Sequence, residues 1–202
     1  MKVDFITFLP GFLSAFVQNL WMGCLAVVIG LALGIPLARL VHKQSPFQRV
    51  VKGLIVFLRS LPVFIVMYIA LGILTMTVVI DENNIFSTPV LALLFGLCFS
   101  SVSGVFDAMI DYFRLRDAGD SRQALLVIPN VFRIYVNVAC TTAVGAALGV
   151  KEAVSYSLMA TERLTSTGDR LIIIIFVSLF FVCFVLLARW LLNSLVKAKM
   201  RA

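Results

Sequence analysis

Five long apolar runs separated by short polar stretches account for most of this chain, at residues 12–40, 53–80, 89–110, 131–150 and 171–195. At about 1.5 Å rise per residue each is long enough, or nearly so, to cross roughly 30 Å of hydrocarbon as a helix. The pattern therefore predicts five membrane-spanning helices. The first run is apolar apart from Gln18 and Asn19, and its Gly30 and Gly34 stand one turn apart, an arrangement that lets two helix backbones approach closely. The second is interrupted by Arg59-Ser60-Leu61-Pro62. Proline removes a helical hydrogen bond and arginine is expensive in lipid, so this stretch predicts a kink that faces the bundle. The third run becomes small and mildly polar at Ser100, Ser101, Ser103 and Gly104. The fourth is the most polar, with Asn137, Cys140, Thr141, Thr142, Gly145 and Gly149, and the fifth, almost purely aliphatic and aromatic, reads as the most lipid-exposed. Ahead of them residues 1–10, with Asp4, Phe5, Ile6, Phe8 and Leu9, form either an amphipathic interfacial lead ended by Pro10 or a frayed terminus.

The polar stretches between the runs set an orientation. Residues 41–52 carry His42, Lys43, Arg49 and Lys52 with Arg39 just before them and no acid, whereas Asp81-Glu82-Asn83-Asn84 has no base. The most charged stretch, 107–133, holds Arg114, Arg116 and Arg122, and the tail adds Lys197, Lys199 and Arg201. With five spans these three basic sets share one side, facing a side that holds Lys2, Lys151, Arg163 and Arg170 with acids nearby. The positive-inside rule makes the first side cytoplasmic, the N-terminus outside and the C-terminus inside. Residues 151–170 read as a mixed-charge loop with a short helix.

Composition agrees. Hydrophobic residues make up 61% of the chain and charged ones 13%, where a soluble domain has about 25% charged. A 202-residue chain with five spans leaves no room for a separate soluble domain, so residues 1–202 are expected to form a single all-α, polytopic membrane domain. The net charge of +7 lies in clusters between apolar runs, which signals topology and not nucleic acid. Cys24, Cys98, Cys140 and Cys183 each fall in an apolar run without metal-type spacing and read as small core residues. The first run is too long for a signal-peptide core, so no cleavable signal is expected. His42 is the only histidine, so neither a metal site nor a catalytic dyad can be built on it, and it reads as a solvated loop residue. No nucleophile, base and orienting acid assemble from the rest, and enzymatic chemistry is not expected. The chain also lacks a Gly-x4-Gly-Lys-[Ser/Thr] phosphate loop. Any ATP-driven motion has to enter through another subunit, and no cofactor is expected on this chain.

Three groups of residues are candidates for function. Arg59 in the second span and Asp107 near the end of the third are proposed as an intramembrane charge pair, the alternative being an arginine that snorkels to headgroups. Asp111 lies one turn after Asp107 and within pairing reach of Arg114. Asn137, Thr141 and Thr142 share a helix face and, with Ser100 and Ser103, either line a solute pathway or serve as interhelical hydrogen-bonding glue. The 107–133 stretch must sit in water, where it is either a docking segment or a plain connector; a short helix capped by Asp117 or Asp120 and offering Arg122, Gln123 and Leu125 suits docking.

Within that stretch, Gly119, Ser121-Arg122 and Leu126-Val127-Ile128-Pro129 resemble the cytoplasmic loop of binding-protein-dependent ABC importer permeases. That loop carries Glu-Ala-Ala, then Gly, then an aliphatic-x-aliphatic-Pro ending, and docks into a groove of the ATPase. Leu58-Arg59-Ser60-Leu61-Pro62-Val63 is similar to the Phe-Arg-x-x-Pro-aliphatic stretch of the polar amino acid branch, and the methionine-importer branch has a similar stretch. In the family the glycine stands thirteen residues before the proline. Here Gly119 stands ten before Pro129, with Asp117-Ala118 where Glu-Ala-Ala is expected, so about one turn of the docking helix and its glutamate are missing. Lys151-Glu152 is faintly similar to that branch's Lys-Asp-[Thr/Ser] stretch, displaced by about three residues, and no site is built on it.

The resemblance implies a type I ABC importer permease with five transmembrane helices, in the bacterial cytoplasmic (inner) membrane. It implies a second permease subunit, either a homodimer partner or a similar chain, cytoplasmic ATPase subunits that bind ATP and Mg, and an external solute-binding protein. The solute class it implies is a small amino acid or related metabolite, and the coupling loop it implies comprises Asp117, Ala118, Gly119, Arg122 and Pro129. The rival is a permease-like scaffold or regulatory subunit whose shortened loop no longer engages an ATPase.

Overall fold

The computed structural model describes residues 5–77, 86–120, 124 and 126–201. Among these the chain forms helices α1 (Phe5–His42), α2 (Gln48–Ser60), α3 (Val63–Thr77), α4 (Thr88–Asp117) and α5 (Val127–Thr141), a 3₁₀ helix (Thr142–Leu148), then α6 (Ala153–Glu162) and α7 (Thr167–Arg201), with no strand. Four stretches are long and apolar enough to cross a membrane, namely α1, α4, α5 with its 3₁₀ continuation, and α7; the bent pair α2 and α3 makes a fifth if counted as one span. The charged stretch beginning at Asp107 is no loop at first, since α4 continues through it to Asp117. Residues 5–10 of the interfacial lead are likewise part of α1, with Pro10 inside the helix. So near a helix end, one forfeited hydrogen bond is tolerable. Lys2, Asp4 and Asp81-Glu82-Asn83-Asn84 lie outside the described residues.

The second span departs most from expectation. Leu61 precedes Pro62 and is driven out of the helical region, to φ −82° and ψ 123°, so the chain turns by 91° between α2 and α3. Helix α2 then has one narrow apolar stripe, Val51 and Ile55, packed on Ala38 of α1 and Val102, Phe106 and Phe113 of α4. Its other faces carry Arg49, Lys52 and Arg59 beside exposed Val50 and Phe57. That combination suits a helix lying along the membrane surface, which leaves α3, about 22 Å long, as the crossing limb.

Helix α1 is the spine. A Cβ placed on Gly30 would stand 2.8 Å from the Ser101 Cβ of α4, and one on Gly34 would stand 3.0 Å from the Val102 carbonyl oxygen. Two turns earlier, a Cβ on Gly23 would meet Ala139 of α5 at 3.0 Å. The small residues thus let α4 and α5 approach α1 to near backbone contact. Helix α7 is held differently: Phe8, Phe12 and Phe16 mesh with Phe176, Phe180 and Phe184, the Phe12–Phe180 and Phe16–Phe180 ring centroids both being 4.9 Å apart edge to face. Such pairs contribute about 0.5–1.5 kcal/mol each beyond their burial. The outer face of α7 exposes Leu179, Val182, Leu186 and Leu187. Cys24 and Cys183 are also exposed and Cys98 and Cys140 half-buried, so none is the core residue expected.

These contacts fix directions. Along α1 and α4, contacts rise together from Gly30 with Ser101 to His42 with Asp117, and along α1 and α7 from Phe8 with Phe176 to Phe16 with Phe184. Hence α1, α4 and α7 are parallel, and the chain must cross back between each pair. Helix α5 makes one return, with Leu20 against Tyr135 and Asn19 against Thr142, and α3 makes the other.

The packing predicts opposite outcomes for two glycines. Gly30→Val forces apart the α1–α4 contact and should lower stability by about 1–3 kcal/mol. Gly53→Ala, in α2 with nothing within 4 Å of its Cβ position, should raise it by about 0.5–1 kcal/mol. Thermal unfolding in detergent measures both.

Candidate functional site

The polar end of α4 and the turn after it form the first part of the site. The Gly119 N–H donates to the Arg116 carbonyl at 3.0 Å and the Asp120 N–H to the Leu115 carbonyl at 3.1 Å, the paired bonds of a Schellman motif. Gly119 has φ +82°, a left-handed conformation that glycine adopts without strain. The glycine of the loop is therefore the residue that stops α4, with Ala118 as its C-cap. Asp117 is the last residue of α4, and its Oδ2 lies 2.7 Å from Nε2 of His42 at the end of α1. His42 leans on the buried Phe113 ring, with the guanidinium groups of Arg39 and Arg116 near the same ring at 6.0 and 5.7 Å. It is thus a tie between two helix ends and not a solvated loop residue. The Asp120 carbonyl accepts from the Ala124 N–H at 3.0 Å, and Ala124 is buried. Pro129 stands in the first turn of α5, where no N–H is needed. Arg122, with Ser121, Gln123 and Leu125, lies outside the described residues.

Arg59 and Asp107 are in contact as an ion pair, and the Arg59 Nη2 also donates to the Ser103 carbonyl at 3.3 Å. Both side chains are about half-exposed, so the pair is worth little as a stability element. Its effect is positional, anchoring the α2–α3 bend to the middle of α4. Asp111 and Arg114 form no ion pair among the described residues.

The five residues read as a solute pathway do not converge. Ser100 is exposed on α4, while Ser103 is buried and its hydroxyl donates back to the Ser100 carbonyl at 3.0 Å. Asn137 is exposed and lines a cleft of about 330 Å³ between α5 and α7, which the other four do not reach. Thr141 is half-buried, its hydroxyl donating to the Asn137 carbonyl at 2.8 Å. Thr142, on the other hand, is fully buried. It lies roughly 140° around the helix from Asn137, so the shared face did not extend to it.

Thr142 belongs instead to a buried polar cluster of Asn19, Thr142 and Glu152, all with no exposure. The Asn19 Nδ2 donates to the Thr142 Oγ1 at 2.8 Å and to the Glu152 Oε2 at 2.9 Å, while its Oδ1 accepts from the Ala153 N–H at 3.1 Å. Glu152 is the N-cap of α6, accepting from Ser155 N–H at 2.7 Å and Val154 N–H at 2.9 Å. One side chain of α1 thereby joins the 3₁₀ segment to the start of α6. No group of three or more metal-ligating side chains occurs among the described residues.

No protein-family model matches the chain, and no curated protein matches it. Solved structures do. A chain from the crystal structure of an amino acid ABC transporter with histidines aligns at TM-score 0.76 and 17% identity, covering 98% of this chain and 100% of that one. A chain of the MetNI methionine ABC transporter, in an inward-facing conformation, aligns at TM-score 0.66 and 14% identity over 93% and 95% of the two chains. The fold is that of an ABC importer transmembrane subunit.

In this importer fold the residue that sequence reasoning underweighted is Glu152. Its signal was weak: glutamate is not among the preferred N-cap residues, and Ser three residues on reverses the usual capping-box order. Its partner Asn19, one of the few polar residues in the first apolar run, was the other half. Burial pushes the Glu152 carboxyl above the ordinary glutamate range, while the hydrogen bonds from Asn19, Val154 and Ser155 pull the other way. The folded state consequently holds the proton more tightly than the unfolded one, and the contribution of Glu152 to stability falls as pH rises from the ordinary value of about 4.3 through the raised one. Glu152→Gln should abolish that slope in thermal unfolding while keeping a cap oxygen. Glu152→Ala, which removes the cap and one of the three hydrogen bonds of Asn19, should lose about 1–3 kcal/mol at every pH.

Proposed function

We propose that this chain is the transmembrane subunit of an ATP-driven importer, forming the solute pathway for a small amino acid or related metabolite. The observation that carries the reading is the near end-to-end alignment with the chain of an amino acid ABC transporter. The resemblance of residues 119–129 to a coupling loop is independent of it and supports the same conclusion. On this reading two permease subunits, of one kind or two, enclose the pathway in the bacterial cytoplasmic membrane, with the N-terminus outside and the C-terminus inside. An external binding protein delivers the solute, and cytoplasmic ATPase subunits, which bind the ATP and Mg, dock against Asp117, Ala118, Gly119, Arg122 and Pro129.

The parts suit that division of labour. Helix α4 ends in a sharp, backbone-satisfied stop, so the turn after it projects at a defined angle from a helix that runs the depth of the membrane. Thr141 and Ser100 remain as polar positions not locked in the buried cluster, and Asn137 is exposed below Thr141; these are the positions proposed to meet solute. Ser103 and Thr142 act as structural hydrogen-bonding groups.

Affinity purification of the tagged full chain should bring down an ATPase whose turnover rises when the binding protein is added. A purified chain without any ATPase would favour the scaffold reading. Within an assembled transporter, Thr141→Trp should reduce uptake at least tenfold with assembly unchanged, and unaltered uptake would remove Thr141 from the pathway.

A further inference from the structure

The cleft between α5 and α7, which Asn137 and Pro129 also line, carries two arginines that the transport reading does not use. Arg133 of α5 and Arg189 of α7 both line it, together with Asn130 and Asn193, and no acidic residue does. Neither arginine makes an ion pair or side-chain hydrogen bond among the described residues. Two guanidinium groups and two amides opening on one cleft make a site for an anion, because arginine presents paired donors that match phosphoryl oxygens.

The surroundings decide which anion. The stretch of α7 from Leu171 that is free of charged residues ends at Ala188. At about 27 Å it spans nearly the whole hydrocarbon layer, which puts Arg189 at the headgroup boundary. Trp190, 63% exposed, marks the same level, as aromatic residues at membrane–water interfaces do. One turn before Arg189, on the same side of α7, Leu186 is more than half-exposed and offers apolar surface to an acyl chain. We infer that the α5–α7 cleft binds the headgroup of an anionic phospholipid, with Arg133 and Arg189 on the phosphate and Asn130 and Asn193 donating beside it. The orientation proposed above puts this site in the cytoplasmic leaflet. The site itself does not depend on the chain being a transporter.

The test uses the full chain, with any subunits that co-purify, in nanodiscs of phosphatidylcholine carrying a minor fraction of phosphatidylglycerol, with retained lipid counted by native mass spectrometry. Each arginine should contribute about fivefold to retention, so that R133Q/R189Q loses roughly 25-fold. R133K/R189K, which keeps the charge but loses the paired donors, should fall between the parent and R133Q/R189Q, and R49Q/K52Q on α2 should retain most of the binding. Unfolding temperatures identify any variant that has failed to fold, and in that case the two single glutamine variants carry the measurement. Equal retention by R133Q/R189Q and the parent overturns the inference. So does displacement of the lipid by millimolar inorganic phosphate, which would make this a free-anion site. Disulfide cross-linking of N193C between two copies would show the cleft to be covered by protein, and overturns it too.

Discussion

In hydrocarbon each unpaired backbone N–H or C=O costs several kcal/mol, so wherever this chain leaves the α-helix something must replace the lost partners. The replacements are found one by one. At Leu61-Pro62 the Pro62 carbonyl accepts from Ile65 and Val66, restarting a helix in the new direction. After α4, the Schellman bonds at Gly119 and Asp120 close the end. The 3₁₀ segment ends at Gly149, with φ +86°, where the Val150 N–H reaches back to the Gly145 carbonyl at 2.9 Å. Glu152 supplies acceptors for the start of α6, and Arg170 donates twice to the Leu164 carbonyl just beyond its end, at 2.9 and 2.6 Å. Several of the residues that looked chemically interesting in the sequence are therefore accounted for by backbone bookkeeping.

The same requirement explains why α1 matters beyond its length. A buried carboxylate capping a helix is expensive unless further donors reach it, and Asn19 provides one from α1. Its amide satisfies three groups at once, the Thr142 hydroxyl, the Glu152 carboxylate and the Ala153 N–H, which uses both its donor and acceptor ends. The small residues Gly23, Gly30 and Gly34 bring α5 and α4 against the same helix. Close backbone contacts at Gly23, Gly30 and Gly34, the polar tie of Asn19 and the aromatic ladder to α7 all fall on one face of α1 at successive heights, which leaves α1 little freedom to move independently.

Much of this was legible in the apolar pattern, because run length against bilayer thickness is a strong constraint and holds for α1, α4 and α7. The close contact at Gly30 and Gly34 was legible as well, since only small residues at helical spacing permit it. Less visible was the division of the second run. Pro62 announced a kink, but a bend of 91° depends on α2 having a narrow apolar stripe that finds Ala38, Val102 and Phe106, residues distant in sequence. The polar residues of the fourth run were misgrouped for a related reason. Helical spacing links Asn137 to Thr141, but which side of α5 faces α1 is settled by Gly23 against Ala139, a pairing between helices that one helix's periodicity cannot reveal. His42 and Asp117 are 75 residues apart, and nothing local joins them.

Stiffness along the chain is correspondingly uneven. Helix α4 is backed by α1 over most of its length and tied to it at the far end through His42, Asp117 and Phe113, so that end of the bundle resists separation. Helix α5 enters firmly, with Pro129 in its first turn, but loses regular α-helical bonding at Thr142, where hydroxyls of Thr141 and Thr142 already engage main-chain carbonyls. A 3₁₀ helix has poorer hydrogen-bond geometry than the α-helix before it, and local opening starts where backbone bonding is weakest. Gly119 thus stands between an α4 backed by α1 and an α5 whose far end is its softest part. The buried Asn19–Glu152 tie stands next to that soft end, so it limits how far the end can travel without breaking three hydrogen bonds of one side chain. Three of the most deeply buried polar groups in this bundle, Asn19, Thr142 and Glu152, thus sit where the backbone is least able to hold itself.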